Sequence, residues 1–194
     1  VPADIQVNAS GLFTKVAVGV ATASDANGNR IAVSLLNGAP LFAPGLHELY
    51  WQATDSNGLS TTATQRLEVT PIVSLSKAQT VINNSTVTIE VILNGPAPVY
   101  PLEVAYSVAG SASAVTEHNL AAGSVQLSSG LRASISFDVF ADLTTQAQKD
   151  IVVTLSSGLN LGANASTTIT ATEANLAPVV VLDAQGLTIQ MTSY

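Results

Sequence analysis

Hydrophobic and polar residues alternate with a period of two through much of this chain. The segments Thr86-Val87-Thr88-Ile89-Glu90-Val91, Pro101-Leu102-Glu103-Val104-Ala105-Tyr106 and Arg132-Ala133-Ser134-Ile135-Ser136-Phe137-Asp138-Val139 all show it. Such alternation puts one face of a strand in a core and the other in water. Helical periodicity is almost absent. The one stretch arguable as a helix, Ser10 to Thr22, carries Val16, Val18 and Val20 in alternation, and β-branched residues favour a strand there.

Turn signals punctuate these strands at short spacing: Asn27-Gly28, Asn37-Gly38, Pro44-Gly45, Asn57-Gly58, Asn94-Gly95, Ser129-Gly130 and Ser157-Gly158. Many short strands with frequent Asn-Gly and Pro-Gly turns predict an all-β sandwich architecture. A boundary is expected near Pro71, between the strand-like Leu67-Glu68-Val69-Thr70 and Ile72-Val73-Ser74-Leu75. Proline lacks the N–H that a central ladder needs, so it marks an edge or a junction. The junction is short and free of glycine, which predicts a stiff link. A second boundary is expected near Asn175-Leu176-Ala177-Pro178. The β-prone tail beyond it, 175–194, reads as a linker or as the first strands of a further domain.

Composition narrows the function. Hydrophobic residues make up 47% of the 194-residue chain and charged residues only 10%, against about a quarter in an average soluble domain. The polar surface must therefore be built from Ser, Thr, Asn and Gln, a composition common among secreted repeat proteins. The net charge is −7, with six basic residues scattered along the sequence. Nucleic-acid binding, which needs clustered Lys and Arg, is excluded on that ground. Cysteine is absent, which removes disulfides, thiolate metal sites and cysteine nucleophiles. The longest apolar run, Ala177-Pro178-Val179-Val180-Val181-Leu182, is too short to span a bilayer.

The first unit, 1–71, resembles the HYR-type immunoglobulin-like family and, more loosely, PKD domains. The residues carrying this are Val16-Ala17-Val18-Gly19-Val20, Ala23-Ser24-Asp25-Ala26-Asn27-Gly28, the run from Phe42 to Gly58, and Gln65-Arg66-Leu67-Glu68-Val69. Leu49, Trp51 and Ala53 are expected to face its core, with His47 sharing their parity and Tyr50 opposed. The second unit, 72–174, resembles the Calx-beta family. Gly110-Ser111-Ala112 stands where that family has Gly-Thr-Ala, and Glu117-His118 where it often has Asp-Tyr. Gly123 to Gly130 matches the hairpin that follows, and Ile151-Val152-Val153-Thr154-Leu155 a strand near the end. Together these resemblances imply two tandem immunoglobulin-like Greek-key β-sandwiches without catalysis of their own, cut from a large bacterial extracellular or cell-surface protein.

Several Calx-beta domains bind calcium, so the resemblance raises a metal site. Ca²⁺ takes six to eight oxygen ligands, several of them carboxylate. The family's acidic positions fall near Asn83, Glu117, Ala141, Asp142, Gln146 and Lys149, where only Glu117 and Asp142 are acidic. These two are remnant candidates for a weak site; no specific metal and no cofactor is expected. Asp25-Ala26-Asn27-Gly28 and Asp55-Ser56-Asn57-Gly58 imitate the start of a calcium loop, but lack the distal acid and read as turns.

Catalytic motifs are missing. His47 and His118 are the only histidines, no Gly-x-Ser-x-Gly elbow occurs, and no nucleophile, base and orienting acid can be nominated together. Sugar binding would need exposed rings, and aromatics are 5% of the chain. Trp51 is expected in the core, leaving Tyr50, Tyr100 and Tyr106. The reading is a structural or adhesion module whose partners are neighbouring domains of its parent protein. The alternatives are a module for carbohydrate or weak calcium binding, and one that takes a partner strand along Val125–Leu127 or Leu187–Met191.

Overall fold

A computed structural model describes residues 1–141 and 148–172, and the backbone of 179–181 and 190–192. It is all-β, with no helix among the described residues. The strands are β1 (Ile5–Asn8), β2 (Ala23–Ser24), β3 (Arg30–Ile31), β4 (Val33–Leu35), β5 (Gly45–Thr54), β6 (Ser60–Thr70), β7 (Val73–Leu75) and β8 (Gln79–Ile82). They continue as β9 (Ser85–Leu93), β10 (Leu102–Gly110), β11 (Gly123–Leu127), β12 (Arg132–Val139), β13 (Lys149–Leu155), β14 (Ser166–Thr172), β15 (Val179–Val181) and β16 (Gln190–Thr192). No helix of the described residues is long and apolar enough to cross a membrane.

The later strands form a sandwich of a five-stranded sheet, ordered β11-β10-β13-β14-β8, on a three-stranded sheet, ordered β12-β9-β7. Register explains its core. Antiparallel pairing sets Val87 opposite Phe137 and Ile89 opposite Ile135, and directly paired residues share a face. All four are buried. From the facing sheet come Val104, Leu127, Ile151, Val153, Leu155 and Ile169. Each fully buried aliphatic side chain contributes about 1.5–3 kcal/mol, and the Ser and Thr between them lie on the solvent face. Gly123 to Gly130 does not close as a paired hairpin: β11 pairs with β10 and β12 with β9. The chain crosses between sheets there, and Leu127 and Ile135 enter the same interior from opposite sheets.

The earlier strands build a four-stranded sheet, β1-β6-β5-β4, with a separate β2-β3 ribbon. Along β5, Leu49, Trp51 and Ala53 are buried, His47 is partly buried and Tyr50 is exposed, as the alternation predicts. A second hydrophobic cluster gathers Ala9, Phe42, Leu49, Leu67 and Val69. The strand expected at Val16–Val20 is absent. Val16 and Val18 pack on this cluster from an irregular segment. Gly19 takes a left-handed φ of 82°, which breaks the extended run, and Val20 is left exposed.

Pro71 is buried between β6 and β7, and hydrogen bonds converge around it. Asn94 Nδ2 donates to the Gly11 carbonyl at 2.7 Å, and Asn94 Oδ1 accepts from Ile72 N–H at 2.7 Å. Asn160 Nδ2 donates to the carbonyls of both Ala9 and Thr70, each at 3.1 Å. Ile72 also packs on the cluster of Ala9, Phe42, Leu49, Leu67 and Val69. A Cβ on Gly95 would lie 2.9 Å from the Pro44 ring, so glycine is what lets this backbone approach the proline.

The boundary expected near Asn175–Pro178 lies outside the described residues. Beyond it, β15 and β16 pair antiparallel.

Candidate functional site

One end of the sandwich brings together residues that the sequence singled out. Lys149, the first residue of β13, pairs with Ala171 of β14, and Ala171 pairs with Val81 of β8. Asn83 lies two residues beyond Val81 and donates its N–H to the Thr172 carbonyl at 2.8 Å. The β10–β11 connection carries Glu117 over this end. Its N–H donates to the Ser113 carbonyl at 3.0 Å, and its own carbonyl accepts from Phe140 N–H at 2.8 Å.

Asn83, Ala112, Glu117, Val139, Phe140, Lys149 and Ala171 line a depression of about 10 Å³, roughly the room for one water. Lys149 Nζ ion-pairs with Glu117 Oε1. Glu117 Oε2 accepts from Ser113 N–H at 2.5 Å. Both oxygens of the carboxylate are therefore engaged, one by a cation that the chain itself supplies. Among the described residues no three of His, Asp and Glu gather closely enough to hold a metal ion. The structure brings together Asn83, Glu117 and Lys149; Ala141 is exposed and does not line the depression, and Asp142 and Gln146 lie outside the described residues.

The loop that carries Glu117 is held by backbone geometry. Ser111 and Ala112 N–H both donate to the Asp150 carbonyl, at 2.9 and 3.1 Å. Gly110 takes a φ of 135°, and a Cβ there would sit 2.0 Å from that same carbonyl oxygen. The Gly-Ser-Ala triplet is thus a tight crossing over β13. Val115, at the loop tip, has a φ of 77° and is exposed, a strained conformation for a β-branched residue. No periodicity signals it.

The two histidines lie apart. His47 Nε2 is 2.8 Å from the Ala43 carbonyl, and the ring meets Phe42 edge-on at 5.3 Å. His118 is 2% exposed, lies edge-on to Phe137 at 6.4 Å, and its Nδ1 has no partner among the described residues. Neither ring hydrogen-bonds a serine or a carboxylate among those residues, so no triad geometry forms around them.

Of the rings singled out for sugar binding, Trp51, Tyr100 and Tyr106 are committed to structure and Tyr50 is exposed. Trp51 is buried and its Nε1 donates to Gln65 Oε1 at 3.0 Å. Tyr100 O–H accepts from Ala97 N–H and donates to the Gly130 carbonyl. Tyr106 is partly buried against the main core. Tyr50 is exposed and donates to Glu48 Oε2 at 2.6 Å. That hydrogen bond and the carboxylate's charge raise the phenol above its usual range.

Both Asp-x-Asn-Gly segments are turns. Asp25 Oδ1 accepts from the N–H groups of Asn27 and Asn29, at 2.9 and 2.8 Å. Asp55 Oδ1 does the same for Asn57 and Leu59. Gly28 and Gly58 sit at φ 84° and 83°, as this turn chemistry requires.

No family model and no curated protein matches the chain. Among solved structures it is similar to an apo-form Calx CBD1 domain, at 16% identity and a TM-score of 0.42, covering 53% of this chain and 98% of that one. It is also similar to the calcium binding domain CBD12 of CALX1.1, at 18% identity and a TM-score of 0.41, covering 50% of this chain and 41% of that one. A third is the native conformation of E. coli alpha-2-macroglobulin, at 15% identity and a TM-score of 0.29, covering 70% of this chain and 9% of that one. Similarity at this level assigns no role to any residue here.

Proposed function

We propose that this chain is a non-catalytic structural module of two tandem β-sandwich units, 1–71 of HYR/PKD type and 72–174 of Calx-beta type. It spaces or presents other domains of a larger bacterial extracellular or cell-surface protein in adhesion. The observation that carries this reading is the seam at Pro71. Asn94 and Asn160, both in the second unit, bond backbone groups of Ala9, Gly11 and Thr70 in the first. A spacer must transmit orientation, and a junction crossed by such bonds resists bending better than a bare linker.

Small-angle scattering tests the proposal: a single extended form should fit the data. An ensemble of widely varying angles between the units would overturn it, as would first proteolytic cleavage at Pro71.

A second reading, a weak calcium site, draws on Glu117 and on the calcium-binding name of one similar structure. The ion pair with Lys149 opposes it, since a divalent cation would have to displace an ammonium already in contact. A glycan array and a calcium titration separate a plain spacer from a ligand-binding module.

A further inference from the structure

The second unit has four sheet edges, and they are protected unequally. Edge strand β7 is covered by the 160–164 segment: Val73 N–H donates to the Asn160 carbonyl, Gly162 N–H to the Val73 carbonyl, and Leu75 N–H to the Asn164 carbonyl. Edge strand β12 is capped where Asn119 takes both backbone groups of Asp138, and it begins at the charged Arg132. Strand β8 is preceded by Lys77, and charge at an edge discourages pairing.

Strand β11 has none of these devices. Beyond its ladder to β10, no backbone group from Gly123 to Leu127 finds a partner among the described residues. The run from Asn119 to Leu131 contains no charged residue and no proline. Ser124 and Gln126 are exposed and Val125 partly so. An open ladder accepts one kind of occupant, an extended strand that returns its hydrogen bonds.

We propose that the occupant is β11 of a second copy, paired antiparallel about a two-fold axis through Val125. The strand is self-complementary in that register. Val125 meets Val125 on the core side, Ser124 meets Gln126 twice on the solvent side, and the small Gly123 meets the buried Leu127. β11 itself brings no charged residue to the seam, although each chain carries a net −7 and the Glu103 carboxylate of β10 borders the strand, accepting from Ser124 Oγ at 2.6 Å. A two-fold contact uses the same patch on both copies, and here it would continue the five-stranded sheets of two molecules into one. The contact is small, so association is weak. Added salt strengthens it, by screening the like net charges of the two chains.

Sedimentation of the full chain at rising concentration, to about 1 mM, tests this. The weight-average mass should climb from 19.8 kDa toward twice that value, with hydrogen-exchange protection appearing at 123–127. Gln126→Lys, at an exposed position, should weaken association at least tenfold with an unchanged melting temperature. Ser136→Lys on β12 should leave it unchanged. A wild-type chain that stays monomeric over the whole range overturns the proposal. So does a folded Gln126→Lys variant that associates like the wild type.

Discussion

Lys149 places its ammonium against Glu117 Oε1, while Ser113 N–H holds the other carboxylate oxygen. The Lys149 and Glu117 side chains are 27% and 13% exposed, between a surface pair and a buried one. Screening still reaches the pair, so its value is modest, about 1 kcal/mol. Glu117→Gln and Lys149→Met should each lower unfolding free energy by about that amount, and the double variant by less than the sum of the two. Denaturant titration of the four proteins measures the coupling. Calcium should not raise the melting temperature of the wild type; a rise of many degrees at sub-millimolar calcium would contradict the ion-pair reading.

Asn160 is the sharper test of the seam. Its Nδ2 serves two carbonyls, Ala9 and Thr70, and Asn160→Ala leaves both without that donor. The expected loss is about 1–2 kcal/mol, with faster proteolysis near Pro71. Asn160→Asp should be worse than Ala, because it turns an acceptor toward two acceptors. Equal cutting rates in all three proteins would show that Asn160 does not hold the seam, leaving Asn94 and packing to do so.

Much of this was legible because alternation is a direct readout of burial. Leu49, Trp51 and Ala53 point inward, and Tyr50 outward, from parity alone. The strands through Ile89, Val104 and Ile135 were equally plain. What alternation misses is partner choice. Nothing local says that β11 and β12, joined by a short turn, belong to opposite sheets. Val16–Val20 alternates convincingly, yet Gly19 at a left-handed φ of 82° breaks the extended run. At the candidate site, Asn83, Glu117 and Lys149 were each singled out in the sequence by the resemblance. The direct Lys149–Glu117 pairing was not, since it depends on a loop crossing set by Gly110 and Asp150.

That crossing gives a stability prediction. Gly110→Ala brings a methyl group to within 2.0 Å of the Asp150 carbonyl oxygen at a φ of 135°. Backbone, not a flexible side chain, must move, and the acceptor for Ser111 and Ala112 moves with it. The expected cost is about 2–4 kcal/mol, read by thermal or chemical unfolding. Gly130→Ala, where nothing lies within 4 Å of the added carbon, should show only the smaller penalty of its positive φ.

The sole tryptophan reports on the first unit. Gln65 is fully buried and bridges Trp51 Nε1 to the Ala3 carbonyl, at 3.0 and 2.6 Å. Gln65→Leu fits apolar surroundings but strands a donor and an acceptor, for a loss of about 1–3 kcal/mol. Tryptophan fluorescence should therefore show unfolding at lower denaturant concentration. An unchanged midpoint would mean that water replaces the amide at no cost.

The Asp25 turn supplies the pH dependence. Its carboxyl is held below the ordinary value of 3.8, chiefly by the Asn29 side-chain hydrogen bond and then by the Asn29 backbone N–H, against an opposing desolvation, with the Asn27 and Gly28 N–H groups adding to the lowering. A depressed folded pKa means that the ionised form binds these donors more tightly than the protonated one does. The turn's stabilisation is therefore fully present above the unfolded value, and it is lost as pH falls through the lower folded one. Carbon-detected titration of the Asp25 carboxyl should place its midpoint below that of a short peptide spanning residues 24–30. Asn29→Ala should move the midpoint back upward while leaving the Asp55 turn unaffected. A midpoint equal to the peptide's would mean that the Asn29 contact does not persist in solution.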